Sequence, residues 1–374
     1  MNERWIAERM SRIDASGIRK AFEMAKAMKD PINLSIGMPH FDVDPSIKQA
    51  VREAVDEGLN QYSVTQGVPE LRDAIRESLQ DYGHADREVL VTSGTAGGLM
   101  LALSAVVNPG DQVIVFDPYF VMYNHQVTLA GGETFLIDTY PDFRIDVAKV
   151  AAAITPRTKA VIVNSPNNPT GVVASAEELK DLALLCRERG VLLISDEVYN
   201  AFAFDGEFHS PAEWSEDVLV VDGFSKSFGM TGWRLGFAHG PGRLIQEMTK
   251  LQQFTFVCAP TPLQVGLARV LAKHTIDLSG QMAEYERKRD RVVEALDGLY
   301  DLPRPEGAFY AFPRAPWGTA SQFVAAAIAR ELLIIPGNVF SRRDTHFRVS
   351  YAVADDVLDR GLEILRGLAI RGCA

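Results

Sequence analysis

Residues 159–165 read KAVIVNS and residues 191–197 read VLLISDE. Each is a short, nearly unbroken apolar run, rich in β-branched side chains, that stops on polar residues. Such a run suits a strand buried on both faces, because a strand with one wet face would alternate apolar and polar positions. Working outward, the pattern recurs as VLVVDG at 218–223, ETFLID at 133–138, QVIVFD at 112–117 and EVLVTSG at 88–94. Helical patterns at 95–107, 118–130, 146–154 and 176–189 fall between these runs. The first is closed by Asn108-Pro109-Gly110 and the last by Gly190. Alternation of strand and helix from about 88 to 240 predicts an α/β fold, a parallel sheet covered by helices.

Beyond that block, 242–273 and 280–298 read as two further helices. The charge run from Glu284 to Arg291 marks a solvated helix face. GAFYAFP at 307–313 and FRVSY at 347–351 read as strands flanking a helix near 319–331, a smaller α+β unit. The segment before residue 45, interrupted by Pro31, Gly37, Pro39 and Pro45, is too irregular for the repeating sheet. A chain of 374 residues exceeds the size at which one core usually stops growing. The expected division is therefore an N-terminal arm with part of a small domain at 1–45, a large domain at 46–280 and a small C-terminal domain at 281–374.

With 47% hydrophobic and 23% charged residues, the composition is that of a globular chain and excludes disorder as the default. The net charge of −11 is spread without a basic block, which argues against nucleic acid or an anionic membrane surface as partner. Cys186, Cys258 and Cys373 are odd in number and far apart, so neither a disulfide framework nor a metal site is indicated. With no signal-like start and no apolar run near 20 residues, the expected location is cytoplasmic.

In open α/β sheets ligands sit at the carboxyl ends of the strands. Four turns there carry chemistry. Ser93-Gly94-Thr95-Ala96-Gly97-Gly98 opens a helix and is equally readable as close packing or as an anion cradle. Asn164 to Gly171 (NSPNNPTG) leaves amide side chains at the sheet edge, where an ordinary loop is the plain alternative. Asp196-Glu197-Val198-Tyr199 sets a carboxylate and a phenol one turn apart. In Gly223–Gly236 (GFSKSFGMTGWRLG), Lys226 stands among apolar and glycine residues, where desolvation would make it a nucleophile or imine former, and Arg234 offers a planar fork suited to phosphate.

Taken in order, these turns, with Ser16–Lys20, Ile36-Gly37, Tyr62, Gly67, Glu70-Leu71-Arg72 and the terminal Phe347–Tyr351, resemble the class I/II aminotransferases, pyridoxal-phosphate enzymes of fold type I. The resemblance covers nearly the whole chain. It implies a mostly parallel seven-stranded sheet flanked by helices, plus a smaller α+β domain. It implies that Lys226 holds pyridoxal 5'-phosphate as an imine and shuttles the α-proton, while Asp196 keeps the cofactor's ring nitrogen protonated. Asn168 and Tyr199 would bond its phenolic oxygen and Phe120 would stack on the ring. Thr95, Ala96, Ser225 and Arg234 would hold the phosphate, joined by Tyr62 from a second subunit, which implies a homodimer with active sites at the interface. Arg348, with Gly37 and Asn168, would clamp the substrate α-carboxylate.

The implied reaction passes an amino group from an aromatic or other neutral L-amino acid, or from aspartate, to a 2-oxo acid such as 2-oxoglutarate. C–S β-elimination on the same fold is the alternative, and a non-catalytic regulator lacks support because no DNA-binding unit is evident. Four positions depart from the family. Gly223 stands where aspartate aminotransferases often have a phosphate-binding serine, Ala96 where relatives acting on acidic substrates tend to have lysine, and Met38 and His40 where acidic residues are usual.

Overall fold

The structure, a computed structural model, describes residues 5–14, 28–79, 86–273 and 276–371. Ser16–Lys20 and Cys373 lie outside the described residues. The six apolar runs all form strands: β2 (Arg87–Thr92), β3 (Gln112–Asp117), β4 (Glu133–Asp138), β5 (Thr158–Asn164), β6 (Leu192–Asp196) and β7 (Val218–Gly223), following a short β1 (Ile32–Asn33). They share a seven-stranded sheet of order β2-β8-β7-β6-β5-β3-β4, in which β8 (Gly236–Pro241) pairs antiparallel with both β2 and β7. The sequence reading missed β8. Its two glycines, His239 and Pro241 break the apolar run, and it is inserted between β7, which precedes it closely, and β2, which is far from it in sequence.

The run at 159–165 is continuous because both of its faces are covered. Ala160 and Ile162 pack with Leu103, Val113 and Leu219 on one side, while Val161 and Val163 pack with Leu179, Leu182 and Leu193 on the other. The helices Gly94–Val106 and Ala176–Arg189 supply those layers. At the carboxyl end of the sheet the backbones crowd: a Cβ on Gly223 would come within 2.9 Å of Gly236 Cα and 3.0 Å of Thr95 Oγ1. Only glycine lets β7 and β8 approach there.

The stretch 242–273 is two helices, Gly242–Thr255 and Thr261–Leu271. Val257, with φ of 65°, and Pro260 break it, since neither conformation continues a helix. Pro45 likewise starts a helix (Pro45–Asp56), its missing N–H costing nothing at a first turn that Asp44 caps through Ser46 N. Helices at Pro69–Ser78 and Asp355–Arg371 were also not foreseen.

β9 (Tyr310–Ala311), β11 (Ile335–Pro336) and β12 (Phe347–Ser350) form a three-stranded antiparallel sheet, and β1 pairs with β10 (Leu332–Leu333). An aromatic core of Tyr285, Phe309, Tyr310, Phe323 and Phe347 lies beneath them. Among the described residues no helix is long and apolar enough to cross a membrane.

Candidate active site

A cavity of about 300 Å3 opens between the carboxyl ends of β5, β6 and β7 and the small sheet. Of the twelve residues that the sequence singled out, eleven line it: Gly37, Thr95, Ala96, Phe120, Asn168, Asp196, Tyr199, Ser225, Lys226, Arg234 and Arg348. Tyr62 does not. It is 82% exposed on the outer surface.

Lys226 lies one turn past β7, its Nζ donating to Gly37 O at 2.6 Å. Burial brings its ammonium down to about 8, Arg348 and Arg234 push the same way, and Asp196 opposes them. An amine with that balance is half free as a base near pH about 8, well below an ordinary lysine.

Asp196 ends β6. Burial pushes its carboxyl up to about 6, against the pull of Tyr123 and the Val198 N–H. Tyr123 donates to Asp196 Oδ2 at 2.7 Å, and Val198 N donates to Oδ1 at 3.3 Å. Neither contact is an ion pair, so the carboxylate is held ready for a cationic N–H. Asn168 is fixed from behind, its backbone N–H donating to Asn164 Oδ1 at 2.8 Å. Its Nδ2 lies 3.4 Å from Tyr199 OH, and that hydroxyl is 2.8 Å from Tyr310 OH.

Arg348 is carried into the cavity by β12. Its Nη1 donates to Asn168 Oδ1 at 2.8 Å and its Nη2 to Ser35 O at 2.7 Å. Tyr310 and Phe340 stack at 4.5 and 4.6 Å from Cζ. Nε is buried without a partner, and among the described residues no carboxylate pairs with this guanidinium. A buried cation satisfied only by neutral acceptors and aromatic faces is poised for an anion from outside the chain.

At the opposite end the helix Gly94–Val106 presents its N-terminus. Thr95 Oγ1 is buried there without a partner, Gly94 has a φ of 70°, and any Cβ on Gly94 would collide with the Arg234 guanidinium. Open backbone N–H groups, an orphaned hydroxyl, Ser225 and Arg234 form a cradle suited to a phosphate. Two anion-seeking ends flank Lys226 and Asp196, a donor set that fits a phosphorylated aromatic aldehyde between them. The described residues hold no His/Cys/Asp/Glu group able to bind a metal ion.

Sequence reasoning missed Tyr123, Ser35, Tyr310 and Phe340. Tyr310 stood inside a recognised strand, but nothing local distinguishes a site tyrosine from a core one. His40 is held by Glu284 and Tyr285. Its Nε2 is 2.9 Å from Glu284 Oε1, and its Nδ1 and backbone N lie 2.9 and 3.1 Å from Tyr285 OH. These contacts tie the Gly37–Met38 wall of the cavity to the helix Ser279–Leu296.

Residues 29–365 match the family described as aminotransferase class I and II. The chain is 36% identical to an aspartate aminotransferase of Pyrococcus abyssi, covering 96% of this chain and 98% of that one. It is 34% identical to an aromatic-amino-acid aminotransferase of Thermococcus litoralis, with 96% of each covered. Among solved structures, the aspartate aminotransferase from Thermus thermophilus with maleate superposes with a TM-score of 0.90 at 33% identity, covering 97% of this chain and 99% of that one.

Proposed function

The chain belongs to the class I and II aminotransferases, and from that premise we propose that it takes the amino group from amino acids with neutral, apolar side chains and passes it to a 2-oxo acid. It is a pyridoxal-phosphate enzyme of the transferase class. The carrying observation for the substrate is the wall between the two anion-seeking ends. The cations that line the cavity are Lys226, Arg234 and Arg348, and the remaining wall includes Ile36, Met38, Leu99, Phe120 and Met122. A second carboxylate on the substrate finds no cation of this chain there, and burying it unpaired costs several kcal/mol. An apolar or aromatic side chain gains instead.

When bound, pyridoxal phosphate supplies the carbonyl that takes up the amino group and the electron-poor ring that accepts the electrons left by the α-proton. The chain's residues do the rest. Arg348 grips the α-carboxylate through its planar fork and, with Asn168, fixes which substrate bond faces Lys226. The Lys226 amine would take the proton from the substrate α-carbon and deliver it to the cofactor's former carbonyl carbon. Asp196, steadied by Tyr123, would keep a proton on the cofactor's ring nitrogen, Tyr199 would donate from its hydroxyl to the ring oxygen, and Phe120 would offer an aromatic face to the ring. The cradle of Thr95, Ala96, Ser225 and Arg234 takes the phosphate. In this reading residues 46–280 carry the cofactor and 281–374 carry the carboxylate clamp.

A second copy of the chain completes the proposal. Tyr62, Val64, Phe254, Phe256 and Val257 are exposed at 82, 58, 85, 43 and 37%. Ser63 and Thr65 are bonded to Thr261 and Gln252, so these residues share one face. That apolar face adjoins the phosphate end, with Phe256 beside Gly97. A homodimer would bury it and bring the partner's copy of the 62–64 loop toward the cradle.

The test is a half-reaction screen of holoenzyme against single amino acids, following visible absorbance. Phenylalanine, tyrosine and leucine are expected to convert the cofactor to its amino form, with aspartate at least about tenfold slower. Faster conversion by aspartate would reverse the substrate reading. Release of pyruvate and ammonia without that conversion would reverse the reaction class.

A further inference from the structure

Tyr310 belongs to no motif at the sheet ends, yet it touches both functional ends of the cavity. Pairing of Tyr310 with Ser350, between β9 and β12, sets its place two residues from Arg348. Its ring faces the Arg348 guanidinium at 4.5 Å, its hydroxyl lies 2.8 Å from Tyr199 OH, and a side chain on Gly37 would collide with that hydroxyl. It is fully buried in the aromatic core, which explains its bulk but not its hydroxyl.

A phenol has one proton and two acceptor positions. Asn168 Nδ2, at 3.4 Å, approaches one acceptor position of Tyr199. When the Tyr310 hydroxyl donates to the other, the Tyr199 proton has only the cavity left to bond. We propose that Tyr310 is a positioning residue of the reaction: its ring face orients Arg348 for the α-carboxylate, and its hydroxyl commits the proton of Tyr199 to the cofactor oxygen. The inference rests on reading the cavity as a pyridoxal-phosphate aminotransferase site.

Two substitutions separate the two contacts. Tyr310→Phe keeps the ring and deletes the hydroxyl. In the holoenzyme the pH midpoint of the visible absorbance is expected to rise by about half a unit or more, because the donor to the cofactor oxygen is weakened. The affinity for 3-phenylpropionate, a carboxylate without an amino group, should stay within about twofold. Tyr310→Leu removes the ring as well and is expected to weaken 3-phenylpropionate binding by about three- to thirtyfold.

An unmoved midpoint in Tyr310→Phe overturns the role of the hydroxyl, and equal carboxylate affinity in the two variants overturns the role of the ring. Should Tyr310→Leu not fold, Tyr310→Met replaces it. Failure of the underlying reading looks different: the wild-type protein would then show no pH-dependent visible band with pyridoxal phosphate, before any variant is made.

Discussion

The cavity's two ends are built on opposite plans. At the end proposed for the cofactor, Asp196, Lys226 and the Thr95 turn each stand at or just past the carboxyl end of a strand of the large sheet, within a few residues of their support. At the end proposed for the substrate, Arg348 is held by Ser35, Asn168, Tyr310 and Phe340, which come from four separate segments. The first end is shaped by desolvation, which moves Asp196 up and Lys226 down, toward each other and toward neutrality. The second is shaped by withholding a counter-ion from a cation that cannot lose its charge. A ligand side is thus marked either by titration moved into the working range or by charge left uncompensated.

The severest way to break this comparison is Lys226→Ala. It removes the proposed base, and turnover should fall by at least about 10^2–10^4-fold, with the visible band of the holoenzyme lost. A variant that keeps most of its turnover contradicts the assignment. The same group sharpens the comparison through pH. Reaction of the apoenzyme with pyridoxal phosphate at Lys226 should rise through pH about 8 and fade below it. Because the unfolded chain binds more protons between that value and the ordinary lysine value near ~10.4, this lysine's contribution to stability increases as pH rises across the window. A midpoint above 10 would show that the amine is not desolvated.

Next in size is Arg348→Ala. Removing one partner of a buried charge pair costs about 2–5 kcal/mol, so kcat/KM for the amino donor should drop roughly thirtyfold or more, while cofactor affinity holds. Arg348→Lys should not restore it, because an ammonium lacks the fork. Unchanged donor kinetics in either variant would move the clamp elsewhere.

Tyr123→Phe tests whether Asp196 needs its neighbour. A hydrogen bond to a charged group is worth about 1.5–3 kcal/mol, so kcat should fall roughly ten- to hundredfold, and the Asp196 carboxyl, freed of a group that pulls it down, should titrate higher. A fall in donor affinity instead of kcat would place Tyr123 at the substrate end. The smallest effect belongs to Gly223→Ser. The added Cβ meets Gly236 Cα, and overpacking of this kind costs about 1–3 kcal/mol in chemical denaturation, with no gain in cofactor affinity. Tighter cofactor binding by this variant would show that the missing serine can be restored.

The two ends also differ in how far they could be read from residues alone. Asp196 and Lys226 were legible because each follows an unbroken apolar strand, and a polar residue at such a boundary lies at the sheet's carboxyl end. Arg348 was found only through the resemblance to a family, since an arginine in a strand is otherwise unremarked. Tyr123 and Tyr310 were missed because a helix and a short strand gave them no polar context. β8 was missed because two glycines and a proline hid a strand whose partners, β2 and β7, are far from one another in the chain.

The sequence by itself determined the α/β alternation, the strand ends and the chemical types gathered there, because strand burial and turn chemistry are local and leave a pattern of period and polarity. The tertiary structure alone decided the antiparallel insertion of β8, the aromatic faces on Arg348 and the chain from Asn168 through Tyr199 to Tyr310. Those depend on which remote segments come within a few ångströms, and contact of that kind has no periodicity for a sequence to display.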